Sequence, residues 1–130
     1  MVDILAPISV GELIDKITIL RIKRERIHAA PARANVEREL DRLLEIRARS
    51  SLDVAELAAL EEELLQVNGR LWGVEDELRA LEQAGDFRDR FIELARSVYR
   101  LNDRRSHLKR RINTVTGSMI TEEKSYTAYE

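Results

Sequence analysis

From Asp53 to Gln83, apolar residues recur at Leu57, Leu60, Leu64, Val67, Leu71, Val74, Leu78 and Leu81. The steps alternate three and four without a break, the seam of a long amphipathic helix laid along another. Past Asp86 the pattern returns at Phe91, Leu94, Val98, Leu101, Leu108, Ile112 and Val115, with one charged interruption at Arg105. Asp53-Val54-Ala55-Glu56 matches a capping box that opens the first of these helices. Gly85 supplies a left-handed stop, Asp86 caps the next helix, and Gly117 ends it. The pattern therefore predicts helices over about 53–84 and 86–116, each about 45 Å long. So short a connection forces them antiparallel. Folding about the turn sets Leu78 near Phe91, Leu71 near Val98, Leu60 near Leu108 and Leu57 near Ile112.

Upstream, residues 2–8 read as an extended lead-in that packs Ile4, Leu5 and Ile8 on the helices, stopped by Pro7. Ser9-Val10-Gly11-Glu12 is a second capping box, opening a helix to about residue 28 with Val10, Leu13, Ile14, Ile17, Leu20 and Ile27 on one stripe. Ile19 and Ile22 fall off that stripe, so the helix is expected to be covered on two sides. Pro31 suits the first turn of another helix, over about 32–49, with Val36, Leu40, Leu43 and Leu44 inward. The expected fold is all-α: a four-helix domain built on the long antiparallel hairpin, with the shorter hairpin (about 9–28 and 32–49) packed against it. One domain spanning 1–130 is expected, its tail 118–130 partly ordered, with Met119, Ile120, Tyr126 and Tyr129 either docked or frayed.

Composition sharpens this picture. Charged residues make up 35% and aromatics 5%, the balance of a long-helix protein rather than a deep-clefted enzyme. Net charge is −2 overall. Residues 53–83 carry nine acidic against two basic side chains, whereas 86–116 carry nine basic against four acidic. Opposite charge flanking an antiparallel seam favours this partner and register. It also absorbs the arginines of 86–116, which argues against a nucleic-acid face. With no cysteine and two isolated histidines, His28 and His107, a thiolate or histidine metal centre is not expected. No apolar run approaches a membrane span, and the start of the chain lacks the pattern of a signal peptide, so a cytoplasmic location is expected.

One constellation breaks the local rules. Gly69 and Gly73 lie inside the predicted third helix, at a combined cost of about 1.5–2 kcal/mol relative to alanine. A close approach by a backbone, a ring or a ligand would explain them. Asn68, Trp72, Glu75 and Arg79 follow one another on one face beside them. Across the hairpin, Asn102 is expected level with Asn68, and Arg96 near Glu75 and Asp76, with Asp103, Arg104 and Arg105 close by. The candidate ligand-binding set is thus Asn68, Trp72, Glu75, Asp76, Arg96, Asn102 and Arg105. Glu75 and Asp76 are the weak candidates for a cation; no metal or cofactor is expected. The competing reading is a buried polar layer that fixes register through Glu75–Arg96 or Glu61–Arg105 pairs.

The blocks ISVGELIDKITILRIKRERI, VNGRLWGVEDELR, ARSVYRLNDRR, KRRIN and EEKSY resemble a family of small bacterial proteins known as a domain of unknown function. The resemblance spans nearly the whole chain. It implies no activity, but its blocks are polar (Glu12, Asp15, Lys16, Asn68, Trp72, Glu75, Asp76, Arg96, Asn102, Asp103 and Lys124), more than a spacer needs. LIDKITIL is also similar to the first helix of all-α chorismate mutases, without their ordered arginines and lysine. Glu61, Glu62, Glu63, Glu75 and Asp76 resemble the carboxylates of all-α nucleotide pyrophosphohydrolases. Here, though, Leu64-Leu65 follow where a third glutamate belongs one turn on, and Asp76 sits beside Glu75 instead of a turn later.

The expected function is a helical binding or scaffold module whose face around Asn68, Trp72, Glu75 and Arg96 meets a protein partner or a small anionic ligand. The alternative is a carboxylate-dependent enzyme, Mg-dependent in one form, acting on a nucleotide-like or carboxylated substrate. Self-association, most simply a dimer, is expected because the long helices outrun the short pair and leave apolar seam uncovered. The two functions differ in one observable. Either Glu75 and Asp76 line an open pocket, or arginines consume them.

Overall fold

The computed structural model describes residues 2–129, so Met1 and Glu130 of the expected 1–130 span lie outside the described residues. Four helices and no strand occur among them: α1 (Val10–Arg26), α2 (Ala30–Ala48), α3 (Leu57–Ala84) and α4 (Asp89–Thr116). The all-α, four-helix architecture is the one the seam patterns predict. None of these helices is long and apolar enough to cross a membrane.

Helix ends follow the predicted chemistry at some points and depart from it at others. The Ser9 hydroxyl accepts from the Glu12 amide at 3.0 Å, as a capping box requires, but the Glu12 carboxylate turns away to Lys109. Gly85 ends α3 at φ 68°, with the Asp86 amide bonded to the Leu81 carbonyl and the Gly85 amide to that of Glu82. That paired closure is the Schellman arrangement, and Gly117 repeats it after α4. Two expected caps are not used. The third helix begins at Leu57, not Asp53, with no side-chain cap, because residues 54–57 form a turn closed by Leu57 N–H to Val54 C=O. Likewise α4 begins at Asp89, since Asp86 spends its carboxylate on the Arg88 amide and guanidinium just outside the helix.

The two 28-residue helices α3 and α4 form the antiparallel hairpin. Ion pairs Glu77–Arg90 at 2.6 Å and Glu63–Arg104 at 3.2 Å cross it, and their residue numbers add to the same total, as a fixed antiparallel register demands. The 17-residue α1 lies across this hairpin. Its start sits on α4, where the Gly11 amide donates to Asn113 Oδ1 at 2.6 Å, and its end sits beside Leu65–Arg70 of α3. Ile14 and Ile17 are fully buried there with Leu64 and Ile112. Helix α2 packs on the outer side of α1 and does not approach α3 or α4 along its backbone. Arg47 reaches past α1, gripping Glu61 with two hydrogen bonds of 3.0 and 2.6 Å.

Coverage by α1 divides the hairpin. Every fully buried residue of α3 lies between Leu57 and Asn68, and in α4 only Leu94 is buried before Leu101. Beyond that, Leu71, Val74, Leu78, Leu81, Phe91 and Val98 are only half-buried. The lead-in does not pack as expected: Ile4 is 84% and Leu5 73% exposed, and Ile8 is exposed as well. The segment is held by the charge contact Asp3–Arg42 instead. Leu44 is also exposed, because α2 has only α1 to pack on and two rows of apolar residues suffice. The tail is tied mainly by polar groups, with one ring contact, Tyr129 edge-on to Tyr99 at 4.9 Å between centroids. Met119 and Tyr126 are exposed, while Glu122 meets Lys109, Glu123 meets Arg110, and the Tyr129 hydroxyl donates to Asp103 at 2.6 Å.

Candidate functional site

At the centre of the α1 crossing lies a polar inlay. Asp15 of α1, 1% exposed, receives Arg105 of α4 in a two-point contact at 2.8 and 2.5 Å. The Asn68 side-chain amide of α3 donates to Asp15 Oδ1 and to Thr18 Oγ1, both at 2.9 Å, and the Thr18 hydroxyl donates to the Asp15 carbonyl. Among the described residues no buried side-chain nitrogen or oxygen lacks a partner. A satisfied inlay of this kind fixes which residues of three helices face one another. Asp15's hydrogen bonds, against the opposing effect of burial, raise the Arg105 guanidinium above its ordinary range, so it stays charged throughout.

Beside the inlay, where α1 leaves the hairpin uncovered, runs an open groove of roughly 390 Å³. Its walls are Ile19 and Ile22 from α1, Leu71, Trp72 and Arg79 with Glu75 and Asp76 from α3, and Asn102 and Arg105 from α4, with Asn68 at the inner end. The two isoleucines off the main α1 stripe are explained here: they form the apolar wall. Glu75 and Asp76 are exposed, and neither they nor Arg79 makes an ion pair or hydrogen bond among the described residues. The groove therefore combines an apolar side with a half-buried indole and an open charged rim in which carboxylates outnumber the free guanidinium.

Asn102 and Arg105 also border a smaller, more polar depression of roughly 240 Å³ formed with Glu12, Lys109, Glu122 and Lys124. Lys109 bridges Glu12 at 2.7 Å and Glu122 at 3.0 Å. Burial alone would lower the Lys109 ammonium, but hydrogen bonds to the two carboxylates outweigh it and the net shift is upward. Glu122, held by Lys124 and then Lys109, falls to about 2. This depression is filled by the chain's own charges.

Six of the seven candidate residues thus border one groove: Asn68, Trp72, Glu75, Asp76, Asn102 and Arg105. Arg96 does not. It lies on the opposite side of α4 with Ile92 and Arg100, because its position is two residues from the seam at both Leu94 and Val98 and so points away from α3. Neither expected ion pair forms: Glu75–Arg96 is excluded by that orientation, and Glu61–Arg105 gives way to Glu61 with Arg47 and Arg21, and Arg105 with Asp15. Nothing approaches Gly69 or Gly73, where an added Cβ would meet no atom within 4 Å. His28 and His107 are exposed. Among the described residues no group of three His, Cys, Asp or Glu side chains stands together, so Glu75 and Asp76 are carboxylates without a third ligand. Sequence reasoning missed Thr18 and Lys109, whose partners come from other helices; the lone Arg105 in an apolar seam was the available signal.

A model of the family described as "Family of unknown function (DUF6165)" matches residues 4–129. The chain belongs to that family. No curated protein and no solved structure matches it.

Proposed function

We propose that the chain is a helical binding module whose groove between α1, α3 and α4 seats a segment of a protein partner. One observation carries this reading: Glu75, Asp76 and Arg79 rim an apolar groove beside Trp72 and have no ion-pair or hydrogen-bond partner among the described residues. A half-buried tryptophan flanked by apolar side chains and unpaired charges is the composition of an interface anchor. The balance of open carboxylates over open guanidinium favours a partner carrying arginine or lysine beside apolar residues, ahead of a small anion. Arg105, the other cation present, is already neutralised by Asp15.

The same open carboxylates support a second reading, a carboxylate-dependent enzyme that recruits a divalent ion. Trp72 is the only tryptophan and reports on the groove directly. Its emission is expected to shift when a synthetic basic amphipathic helix is added, and not with phosphate or small carboxylates. A Glu75→Gln, Asp76→Asn variant is expected to lose that shift with its unfolding temperature unchanged, since both side chains are exposed and unpaired. A shift with Mg²⁺ or Mn²⁺ that the variant loses would favour the enzyme instead. No response to either would end the binding reading.

A further inference from the structure

Most guanidinium groups of this chain have a partner, and those without one are unevenly placed. Arg24, Arg26, Arg70, Arg79 and Arg111 are the arginines with neither an ion pair nor a hydrogen bond among the described residues. Arg24, Arg26 and Arg70 border a single depression of roughly 450 Å³. It lies where the last turns of α1 meet α3, and it shares only Ile22 with the groove beside Trp72.

Two helices are needed to build this arrangement, α1 supplying Arg24 and Arg26 and α3 supplying Arg70. Arg21 stands with them and meets Glu61 only at 3.6 Å, since Arg47 already holds that carboxylate at 2.6 and 3.0 Å. Opposing charge is present but smaller. Glu25 lines the same depression, and the C-terminal end of α1 adds the equivalent of about half a negative charge. The three unpaired guanidinium groups exceed that total by about one and a half charges, before Arg21 is counted. The floor is apolar, formed by Ile22 and Leu65, with Gly69 in the α3 wall. Gly69 interrupts a helix, yet a Cβ there would meet no atom within 4 Å. Packing within the chain does not require that glycine. Its missing side chain makes the depression deeper.

We propose that this depression binds a compact anion carrying two or more phosphate groups. Guanidinium forks match phosphate oxygens in pairs, and three of them around one space suit a multiply charged group better than a single carboxylate. A long polyanion fits less well. No aromatic side chain lines the depression to stack a base, and Glu62 and Glu63 stand exposed one turn before Gln66, where a continuing strand would meet them. This site is distinct from the groove beside Trp72, and neither reading rests on the other.

Tripolyphosphate is the probe. Titrated into the full chain at low salt and followed by calorimetry and NMR, it is expected to bind at one site and to move the amide signals of residues 24–27 and 66–70. The combined variant Arg24→Gln, Arg26→Gln, Arg70→Gln is expected to bind roughly tenfold or more weakly. Its helical circular dichroism should match the parent, because all three side chains are exposed. Gly69→Leu, which fills the depression without altering charge, should also weaken binding. A control of equal charge, Arg33→Gln with Arg38→Gln and Arg111→Gln, removes exposed arginines elsewhere and should bind as the parent does. Absence of binding overturns the proposal, and so does binding that survives both the arginine variant and Gly69→Leu. Equal weakening in the control would mean diffuse surface charge and no site. A single-stranded oligonucleotide that displaces tripolyphosphate at equal phosphate concentration would overturn the compact ligand in favour of a nucleic acid.

Discussion

At Gly11 a hydrogen stands where no side chain fits. A Cβ there would lie 2.5 Å from the Lys109 carbonyl oxygen and 2.9 Å from Asn113 Oδ1. The first of these is backbone and cannot swing aside. Its amide also donates to Asn113 Oδ1, so any shift that relieves the clash strains a buried hydrogen bond. Gly11→Ala is expected to cost about 1–3 kcal/mol, read as a lower denaturant midpoint. Gly73 makes the opposite case. It sits mid-helix in open space, where alanine removes the backbone entropy penalty of glycine. Gly73→Ala is expected to stabilise the chain by about 0.5–1 kcal/mol. If Gly11→Ala were neutral, α1 would not lie as close to α4 as described. The sequence pointed to the wrong glycines for a physical reason. Gly69 and Gly73 breach a propensity that is visible locally, whereas Gly11 hides inside a capping box, its neighbour 102 residues away.

At the scale of elements, polar contacts place what the apolar seam does not. The hairpin was legible because period and charge agree over long stretches of α3 and α4, and each step repeats the same information. Helix starts were less so: Asp53 and Asp86 are both good caps, but whether a carboxylate caps a helix or an adjacent turn depends on neighbours within a few residues. That α1 packs on the hairpin was legible from its two apolar sides, but where it crosses was not. The crossing rests on Asp15 and Arg105, and nothing in either local pattern names the other. The tail follows the same rule, held to α4 through Glu122, Glu123 and Tyr129. Glu122 titrates near 2 in the folded chain against an ordinary 4.5. A depressed folded value means its contribution is complete above pH 4.5 and fades as the pH falls toward about 2. Contact between the Tyr99 and Tyr129 rings, followed by NMR, is therefore expected to persist in part below the ordinary carboxylate range. Glu122→Gln should loosen it at neutral pH, and parent and variant should converge near pH 2. Loss of the contact centred on pH 4.5 in the parent would mean Glu122 does not hold the tail.

On the scale of the whole molecule, stability is unevenly spread along one pair of helices. Between Leu57 and Asn68 on α3, and Leu101 and Asn113 on α4, three helices enclose the core and the Asp15 inlay ties them. Past Trp72 the same two helices have only each other, yet their hydrogen-bond ladder continues unbroken to Gly85. Local opening should follow coverage rather than helix continuity, because opening the distal turns exposes little that was fully buried. Amide exchange is therefore expected to be slowest around Leu64 and Leu108 and to quicken steadily toward Ala84 and Asp89. Concentration then separates two causes. In dilute solution the gradient belongs to the single chain. As concentration rises, distal amides should gain protection by mass action if a second copy covers them, while those near Leu64 should not change. A gradient that is indifferent to concentration would mean the hairpin tip stands uncovered in the working protein. Uniform protection in dilute solution would mean the two bare helices hold together far better than their half-buried seam allows.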